Sequence, residues 1–424
     1  MARFNLPYHQ SFLSADIPDE LISGILESEV SSQKPRMPEA EIVRTALNRP
    51  IQSPPLETLV KGRKTLTLVT SDHTRPVPSR ITLPILLKRI RESRPDIAIT
   101  ILVATGYHRA TTKDELKRMF GESVVKNEHI VIHDSRDNSE MADLGVLPSG
   151  GKLWINRRAV ETDLLIAEGF IEPHFFAGFS GGRKSILPGI AGYKTVLANH
   201  CAAFIAHEHA RTGILNGNPI HEDMIFAARK VNLQFIMNVI LNGKKEIIHA
   251  VAGDREAAHR QGCDFLSRLS QVKPLPADIV ITTNGGYPLD QNIYQSVKGM
   301  TAAEATTRED GIIIMVSACS DGHGGESFYR NLAESEHPQE ILKRTLRVPR
   351  DETVPDQWEY QILARILNRF KVILVSNLCD PEMIRAMHME HAYTVEEALE
   401  MAWELKGRKE VTVIPDGVGV IIRK

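Results

Sequence analysis

Residues 65–108 read TLTLVTSDHTRPVPSRITLPILLKRIRESRPDIAITILVATGYH, and this stretch decides the fold class. Residues 65–70 form a short apolar and β-branched run that is typical of a buried strand, and residues 97–104 form a second one. Between these runs, residues 81–91 carry apolar side chains at helical spacing. A strand, a helix and another strand in succession predict a parallel β-α-β unit.

The same alternation of strands and helices continues along the chain. Further strand candidates are residues 130–133, 163–167, 235–241, 277–283, 311–316, 372–376 and 410–414. Helix starts are indicated by three capping boxes, which are Thr112 with Glu115, Thr301 with Glu304 and Thr394 with Glu397. Strands that alternate with helices predict an α/β fold with mainly parallel sheets, covered by helices on both faces.

A chain of 424 residues is longer than one hydrophobic core usually supports, so two domains are expected. Residues 270–276 (SQVKPLP) interrupt the pattern with prolines and polar side chains. We therefore predict an N-terminal α/β domain over residues 1–270 and a C-terminal α/β domain over residues 271–424. The pattern does not decide on which domain the last strand, residues 410–414, packs.

The composition excludes several classes of protein. Lys and Arg total 51 against 53 Asp and Glu, so no excess of positive charge marks a nucleic-acid-binding protein. The apolar runs are too short to span a bilayer, and the first 20 residues lack a signal-peptide core. The four cysteines are scattered without a CxxC pair. We expect a cytoplasmic protein with reduced thiols that binds neither nucleic acid nor membrane.

Unusual polar clusters follow several of the strand candidates. They are residues 72–75, 105–108, 168–174 and 284–287. In open α/β sheets, ligands bind beyond the carboxyl ends of the strands. We therefore expect these clusters to line one active site, in a cleft between the two domains.

The densest cluster, residues 172–185, reads EPHFFAGFSGGRKS. It approaches the Walker pattern GxxxxGK[ST], but Arg183 stands where that pattern requires glycine. Residues 178–182 also match the GxSxG nucleophile elbow of hydrolases, although no strand candidate runs directly into Ser180. A flexible surface loop is a third interpretation, and the two phenylalanines argue against it.

Single residues of the other clusters allow two interpretations each. Arg75 could bind a carboxylate or phosphate through two hydrogen bonds, or pair with Asp72 on the surface. His108 and His174 could carry protons near neutral pH, or serve only as hydrogen-bonded structural residues. His200 could bind a metal ion, or simply end a helix.

Gln295 and Lys298 lie three residues apart, which places them on one face of a helix. An amide beside an ammonium group would suit a small hydroxy-carboxylate, but a solvated polar face has the same pattern.

Taken together, the segments resemble the nickel-pincer lactate racemase family, and the resemblance covers essentially the whole chain. The motifs that carry it are SDHTRPVPS (71–79), ATGYHR (104–109), HFFAGFSGGRKSILPGIAG (174–192), ANH (198–200) and NGGYPLDQNIYQSVKGM (284–300). The resemblance implies an isomerase that acts on 2-hydroxy acids, with residues 1–270 as the cofactor-binding domain.

The resemblance also implies roles for particular residues. Lys184 would be covalently attached to nickel-pyridinium-3-thioamide-5-thiocarboxylic acid mononucleotide, the nickel-pincer nucleotide, and His200 would bind its nickel. His108 and His174 would be the catalytic acid and base. The residues implied to line the cofactor are Asp72, His73, Thr74 and Arg75, and those implied to bind substrate are Arg75, Gln295 and Lys298.

The activity implied is the interconversion of D- and L-lactate by hydride transfer through pyruvate, with the cofactor made by other enzymes. Two alternatives are a racemase or epimerase of another 2-hydroxy acid, and a non-catalytic protein that binds nickel or a nucleotide. A serine hydrolase that uses Ser180 is a further one. His108 and His174 distinguish an enzyme from a non-catalytic carrier, because a carrier needs Lys184 and His200 but has no use for these two histidines.

Overall fold

A computed structural model describes residues 1–423. Its strands are β1 (Ala2–Tyr8), β2 (Ser11–Ile17), β3 (Ile22–Ile25), β4 (Thr65–Ser71), β5 (Ala98–Ala104), β6 (His129–Ile132), β7 (Met141–Val146), β8 (Lys152–Asn156), β9 (Leu164–Phe170), β10 (Pro173–His174), β11 (Gly178–Phe179), β12 (Leu233–Leu241), β13 (Ile247–Gly253), β14 (Gln271–Val272), β15 (Ala277–Thr283), β16 (Thr307–Val316), β17 (Lys371–Val375), β18 (Glu390–Ala392), β19 (Val411–Ile414) and β20 (Ile421–Ile422).

Its α-helices are α1 (Glu39–Asn48), α2 (Leu56–Leu59), α3 (Ser79–Ser93), α4 (Lys113–Phe120), α5 (Glu122–Asn127), α6 (Arg157–Val160), α7 (Tyr193–Asn199), α8 (Ala202–Ala206), α9 (Pro219–Lys230), α10 (Ala257–Ser270), α11 (Ile293–Glu304), α12 (Glu326–Ala333), α13 (Pro338–Thr345), α14 (Gln357–Leu367), α15 (Pro381–Ala386) and α16 (Val395–Lys406). None of these helices has both the length and the apolar character needed to cross a membrane.

The strand–helix–strand prediction for residues 65–108 is confirmed by β4, α3 and β5. β4 and β5 pair in parallel, with Leu68 opposite Ile101. Both residues are fully buried, as expected for a parallel sheet that helices cover on each face. The chain is therefore an α/β protein, as predicted.

The chain divides into two compact units. Unit 1 contains Met1–Ser28, Cys201–His207 and the chain from Ser270 onward, and unit 2 contains Glu29–His200 and Glu208–Leu269. One boundary between the two units thus lies at Ser270, where the alternation of strands and helices in the sequence is interrupted. The first 28 residues belong to unit 1 because β3 joins the sheet of that unit.

Unit 2 is built on a six-stranded sheet with the order β13-β12-β9-β4-β5-β6. Its strands are parallel except for β13, which pairs antiparallel with β12. Its core packs the apolar side chains of these strands against helices such as α1 and α3; Leu68, Ile166 and Phe235 are central members. From β4, the chain adds β5 and β6 on one side and β9 and β12 on the other. The sheet therefore has a topological switch point between β4 and β9.

Unit 1 is built on a second six-stranded sheet, with the order β18-β17-β16-β15-β19-β3 and parallel pairing throughout. Ile281, Ile314 and Val413 are members of its core. The last strand candidate, residues 410–414, is β19, and it pairs with β15 and β3. This strand therefore packs within unit 1.

Two of the three predicted capping boxes lie at helix starts. Thr112 and Glu115 form a complete box at α4, and Thr394 accepts the Glu397 N–H at the start of α16. The prediction for Thr301 is wrong, because this residue lies inside α11 and its hydroxyl donates to the Lys298 carbonyl. The true cap of α11 is Asn292. A Thr and a Glu three residues apart also face each other within a helix, so the spacing alone does not mark a helix start.

Candidate active site

The carboxyl ends of three neighbouring strands in unit 2 carry the polar clusters that the sequence indicated. Residues 72–75 follow β4, residues 105–108 follow β5, and residues 172–185 follow β9. Because the switch point lies between β4 and β9, a crevice is expected beyond these strand ends. The backbone N–H of Gly106 donates to the Gly189 carbonyl at 2.9 Å, which joins the second cluster to the chain after the third.

Asp72 and His108 form a hydrogen-bonded pair at this edge. His108 Nδ1 lies 2.7 Å from Asp72 Oδ2, and Asp72 is 1% exposed. Burial would raise the pKa of Asp72, but the hydrogen bonds from His108 and Thr74 and the charge of His108 hold it below its ordinary value. The ionised carboxylate accepts a hydrogen bond from Nδ1 of His108, so Nδ1 carries a proton. The other ring nitrogen, Nε2, is therefore the atom of this half-exposed ring that is available to a substrate.

The other residues of the first cluster surround this pair. Thr74 donates through its hydroxyl to Asp72 Oδ1 at 2.7 Å. His73 Nδ1 lies 3.1 Å from the Thr111 hydroxyl, beside the start of α4. Arg75 is exposed and forms no ion pair with any of residues 1–423. The surface pair between Asp72 and Arg75 that the sequence left open therefore does not form, since Asp72 is bound to His108.

Ser180 has a structural role in the third cluster. Its hydroxyl donates to the Phe170 carbonyl at 3.0 Å and accepts the Glu172 N–H at 2.9 Å, so it closes the turn after β9. Within residues 1–423, no histidine ring bonds this hydroxyl; the His259 ring bonds the Ser180 carbonyl instead. The side chain thus lacks the adjacent base that a serine nucleophile needs. The hydrolase interpretation fails on this geometry.

The same loop is held by Arg183, the residue at which the sequence departs from the Walker pattern. Its guanidinium is fully buried and donates to the carbonyls of Ala177, Ser180 and Gly181 at 2.7–3.3 Å. Burial lowers its pKa to about 10. A planar group with five donors can bind several carbonyls at once, which fixes the curvature of the loop.

Glycine is required at Gly178, where the loop passes closest to another segment. Its φ is +78°, and a Cβ atom there would lie 2.3 Å from the Ile214 carbonyl oxygen. Any side chain would therefore displace the loop or the segment it contacts.

Phe176 is the point at which three predicted site residues meet. Its ring centroid lies 4.5 Å from that of His174 and 5.2 Å from that of His200, both in edge-on contacts. The Nζ atom of Lys184 lies 5.8 Å from the same centroid. Phe176 is itself buried, so the three polar side chains are gathered against one apolar wall. Its position between His174 and Lys184 in the sequence is the only signal that could have identified it.

His174 and Lys184 are in direct contact. His174 Nδ1 accepts the Ala177 N–H at 3.3 Å, and His174 Nε2 lies 3.2 Å from Lys184 Nζ. In a neutral ring, the single proton is on Nε2 when Nδ1 accepts this N–H. A reaction at Lys184 would use the uncharged amine, which is the nucleophilic form of lysine.

His200 ends α7 and is buried beside the same wall. Its Nδ1 donates to the Val196 carbonyl at 2.9 Å. Burial, and then the nearby charge of Lys184, lower its pKa to about 3. The ring is therefore neutral at physiological pH, with its lone pair on Nε2. A histidine whose other nitrogen donates to a carbonyl is the usual form of a metal ligand.

His200 is not part of a larger cluster of metal ligands. Within residues 1–423, no three His, Cys, Asp or Glu side chains lie close enough together to hold a metal ion.

Gln295 and Lys298 lie in unit 1, on α11. Lys298 Nζ donates to Gln295 Oε1 at 2.6 Å, so the prediction that they share one helix face is confirmed. Asn292 accepts the Gln295 N–H at 2.9 Å and thereby fixes the start of the helix. Asn284 binds the Gln295 carbonyl with its amide at 2.6 Å. The amide and the ammonium are thus presented together from a well-anchored helix end.

Models of known families match most of the chain. The lactate racemase N-terminal domain matches residues 8–213, and the lactate racemase C-terminal domain matches residues 272–422. The chain belongs to the lactate racemase family. This is a family of isomerases, as the motifs predicted.

Individual relatives agree with this assignment over their full lengths. Lactate racemase from Thermoanaerobacterium thermosaccharolyticum is 55% identical, and the alignment covers 100% of both chains. Lactate racemase from Lactiplantibacillus plantarum is also 55% identical, again over 100% of both chains.

Two solved structures are similar as well. The lactate racemase apoprotein from Thermoanaerobacterium thermosaccharolyticum superposes with a TM-score of 0.97 at 54% identity, covering 100% of both chains. A protein from Thermotoga maritima superposes with a TM-score of 0.64 at 19% identity, covering 91% of this chain and 98% of its own. The second likeness concerns the fold alone.

Proposed function

We propose that this chain interconverts D- and L-lactate by hydride transfer through pyruvate, with the nickel-pincer nucleotide as its cofactor. The observation that carries the proposal is the grouping of Lys184, His174 and His200 around Phe176. It supports covalent attachment, proton transfer and metal binding within one small region. The names of the 55% identical relatives support lactate as the substrate.

The residues present fit the cofactor that the resemblance implies. Lys184 offers the amine for a thioamide bond, and His200 offers a neutral imidazole to nickel. When bound, the nucleotide would supply a carbon that takes the α-hydrogen of lactate as hydride and returns it. The relative whose structure was solved as an apoprotein supports the need for a cofactor in this family. Asp72, His73, Thr74 and Arg75 would line it.

His108 would move the hydroxyl proton of one lactate enantiomer through its Nε2 atom. Its Nδ1 proton is bound to the ionised Asp72, so accepting a second proton forms an imidazolium that the carboxylate stabilises. Loss of the hydroxyl proton lets the substrate oxygen form the carbonyl of pyruvate, and its return restores lactate.

His174 would serve the other enantiomer. The two enantiomers present their hydroxyl groups in different directions, so two proton carriers are needed, one as base and the other as acid. The ring of His174 is held by contacts with Phe175 and Phe176 and by the Ala177 N–H, which fixes the direction of Nε2.

Arg75, Gln295 and Lys298 would bind the substrate. A guanidinium and an ammonium group suit the carboxylate of lactate, and the amide of Gln295 suits its hydroxyl. Arg75 is exposed at the strand ends of unit 2, while the other two residues are half-buried and lie next to each other near the start of α11.

The cofactor would reach the chain from other enzymes of the cytoplasm, since no part of the sequence resembles a sulfur-inserting or carboxylating enzyme. The near balance of charged residues, with a formal net charge of −2, supports a small-molecule substrate over nucleic acid.

The path of the α-hydrogen tests the proposed chemistry. Holoenzyme made together with the cofactor-producing enzymes is given one lactate enantiomer in heavy water. We expect the product enantiomer to keep its original α-hydrogen, because hydride on carbon exchanges slowly with water, whereas a proton on histidine exchanges readily. Proton NMR of the first product formed gives the answer. Extensive deuterium at the α-carbon would contradict hydride transfer, and full activity of protein made without those enzymes would contradict the need for the cofactor.

A further inference from the structure

A buried carboxyl group lies behind Lys298 in unit 1. Glu359 belongs to α14, which packs against α11, and it is 1% exposed. Its Oε1 atom is sealed from water and has no hydrogen-bond partner among the described residues. Trp358, the residue before Glu359, donates its indole N–H at 3.1 Å to the hydroxyl of Tyr294, which lies one helical turn before Lys298 on α11. None of the motifs that indicated the active site includes Glu359.

An ionised Glu359 would be costly in this position. A buried carboxylate oxygen with no donor loses its hydration without compensation, whereas a neutral acid with the same contacts loses much less. Burial is the main cause of a pKa of about 8 for Glu359, the charge of Lys298 opposes the shift, and the charge of Asp356 adds to it. At pH 7 the group is therefore mostly protonated.

The titratable groups that face Glu359 are few. Lys298 and Tyr294 face it from α11, and Asp356 faces it from the start of its own helix. Arg344 of α13 acts on the neighbouring Tyr360. Burial raises the pKa of Tyr294 well above its usual range, so this phenol does not ionise between pH 7 and pH 9.

The protonation state of Glu359 decides how much positive charge Lys298 presents. A carboxylate beside an ammonium group neutralises it and repels a second carboxylate, while a neutral acid does neither. We propose that Glu359 is a positioning residue whose protonated form keeps the charge of Lys298 available to the carboxylate of lactate. This role rests on the proposed function, because it requires that Lys298 binds the substrate.

The consequence is a pH-dependent KM. If only the protonated form of Glu359 supports binding, the KM for lactate of the wild-type holoenzyme rises about tenfold between pH 7 and pH 9, as one group with a pKa of about 8 ionises. The kcat changes less, because Glu359 is buried and would act on the substrate only through Lys298.

The test compares three holoenzymes by steady-state kinetics from pH 6 to pH 9. Glu359→Gln should bind lactate like the wild type at pH 7 and lose the rise in KM at pH 9. Glu359→Met, which is also neutral at every pH, serves the same purpose if the Gln variant does not fold. Glu400→Gln is the matched control, because Glu400 is exposed on α16, and it should keep the wild-type profile.

A second readout does not depend on activity. The infrared difference spectrum of wild type minus Glu359→Gln should contain a protonated carboxyl band at pH 6 that disappears by pH 9. Absence of this band at pH 6, or a neutral variant that keeps the alkaline rise in KM, overturns the role of Glu359. A wild-type holoenzyme that fails to racemise lactate at every pH contradicts the proposed function itself, which is a different result.

Discussion

At the scale of single residues, the orientation of His108 depends on Asp72. The carboxylate accepts a hydrogen bond from Nδ1, with 2.7 Å between Nδ1 and Oδ2, and it is buried, so it cannot exchange this partner for water. This is the arrangement by which an acidic residue selects the tautomer of a catalytic histidine.

Asp72→Asn should therefore lower racemisation in both directions by roughly 10²–10⁴-fold, because the amide can donate to Nδ1 and favour the wrong tautomer. The measurement is kcat/KM for each enantiomer. Asp264→Asn, on the exposed face of α10, is the control and should have no effect. Since Asp72 acts through His108, the substitution should cost nothing further in a His108→Ala background. A full additional loss in the double variant would show that Asp72 has a separate role.

Lys184 and His200 differ in the kind of bond that they would form with the cofactor. Lys184→Ala should abolish the covalent adduct, whereas His200→Ala should keep the adduct and lose nickel more readily. Intact-protein mass and metal analysis of the same samples separate the two effects. Lys194→Ala, an exposed lysine of α7, is the control and should keep both adduct and nickel. An adduct that persists without Lys184 would place the attachment elsewhere.

At the scale of elements, the loop after β9 works as a preformed unit. Backbone carbonyls of the loop converge on the Arg183 guanidinium, and the Ser180 hydroxyl bridges Phe170 and Glu172. The loop thereby presents His174 and Lys184 toward each other although ten positions separate them in the sequence.

Ser180→Ala distinguishes a structural serine from a nucleophile. We expect kcat to stay within a few-fold of the wild type, because the hydroxyl bonds only backbone groups. The free energy of unfolding should fall by about 1–3 kcal/mol, since the Glu172 N–H and the Phe170 carbonyl lose a buried partner. Chemical denaturation and lactate assays measure the two quantities, with the exposed Ser123→Ala as control. Complete loss of activity in a stable variant would revive the hydrolase interpretation.

At the scale of the whole molecule, the two units contain buried groups that respond to acid in opposite ways. In unit 2, burial lowers the pKa of His133 to about 4. In unit 1, burial raises the pKa of Glu359 to about 8. A base with a lowered pKa stabilises the folded state above the unfolded pKa near 6.5, and this stability is lost as the pH falls. An acid with a raised pKa, such as Glu359, has the opposite effect. It lowers the stability of the folded state as the pH rises from its unfolded pKa toward 8.

Acidification should therefore destabilise unit 2 through His133. Its ring bonds the Ala191 carbonyl and the Asn156 amide, so protonation would break the second bond. Between pH 7 and pH 5 we expect His133 to account for a fall of about 2 kcal/mol in the free energy of unfolding. His133→Gln, which keeps a donor and an acceptor, should lessen the fall, and the exposed His129→Gln should not. Equal acid sensitivity of all three proteins by denaturant titration would contradict this assignment.

The sequence by itself determined the fold class, the strands that carry the site and the family. Strand and helix periodicity depends on neighbouring side chains, so β4, α3 and β5 could be predicted within a residue or two of their bounds. The motif around Lys184 is long enough to identify relatives. The capping-box pattern gave a wrong prediction at Thr301, because a Thr and a Glu three residues apart also occur inside a helix.

Only the tertiary structure decided which partners the site residues have. Asp72 could have paired with Arg75, three residues away, but burial and the turn after β5 bring it to His108. Arg183 is an unremarkable cation in the sequence, and its role depends on carbonyls that turn toward it only in the folded loop. Glu359 follows the same principle, because its pKa is set by loss of water and by Lys298, which is 61 positions away. Hydration, charge and hydrogen bonding act through space, and their partners are known only once the chain has folded.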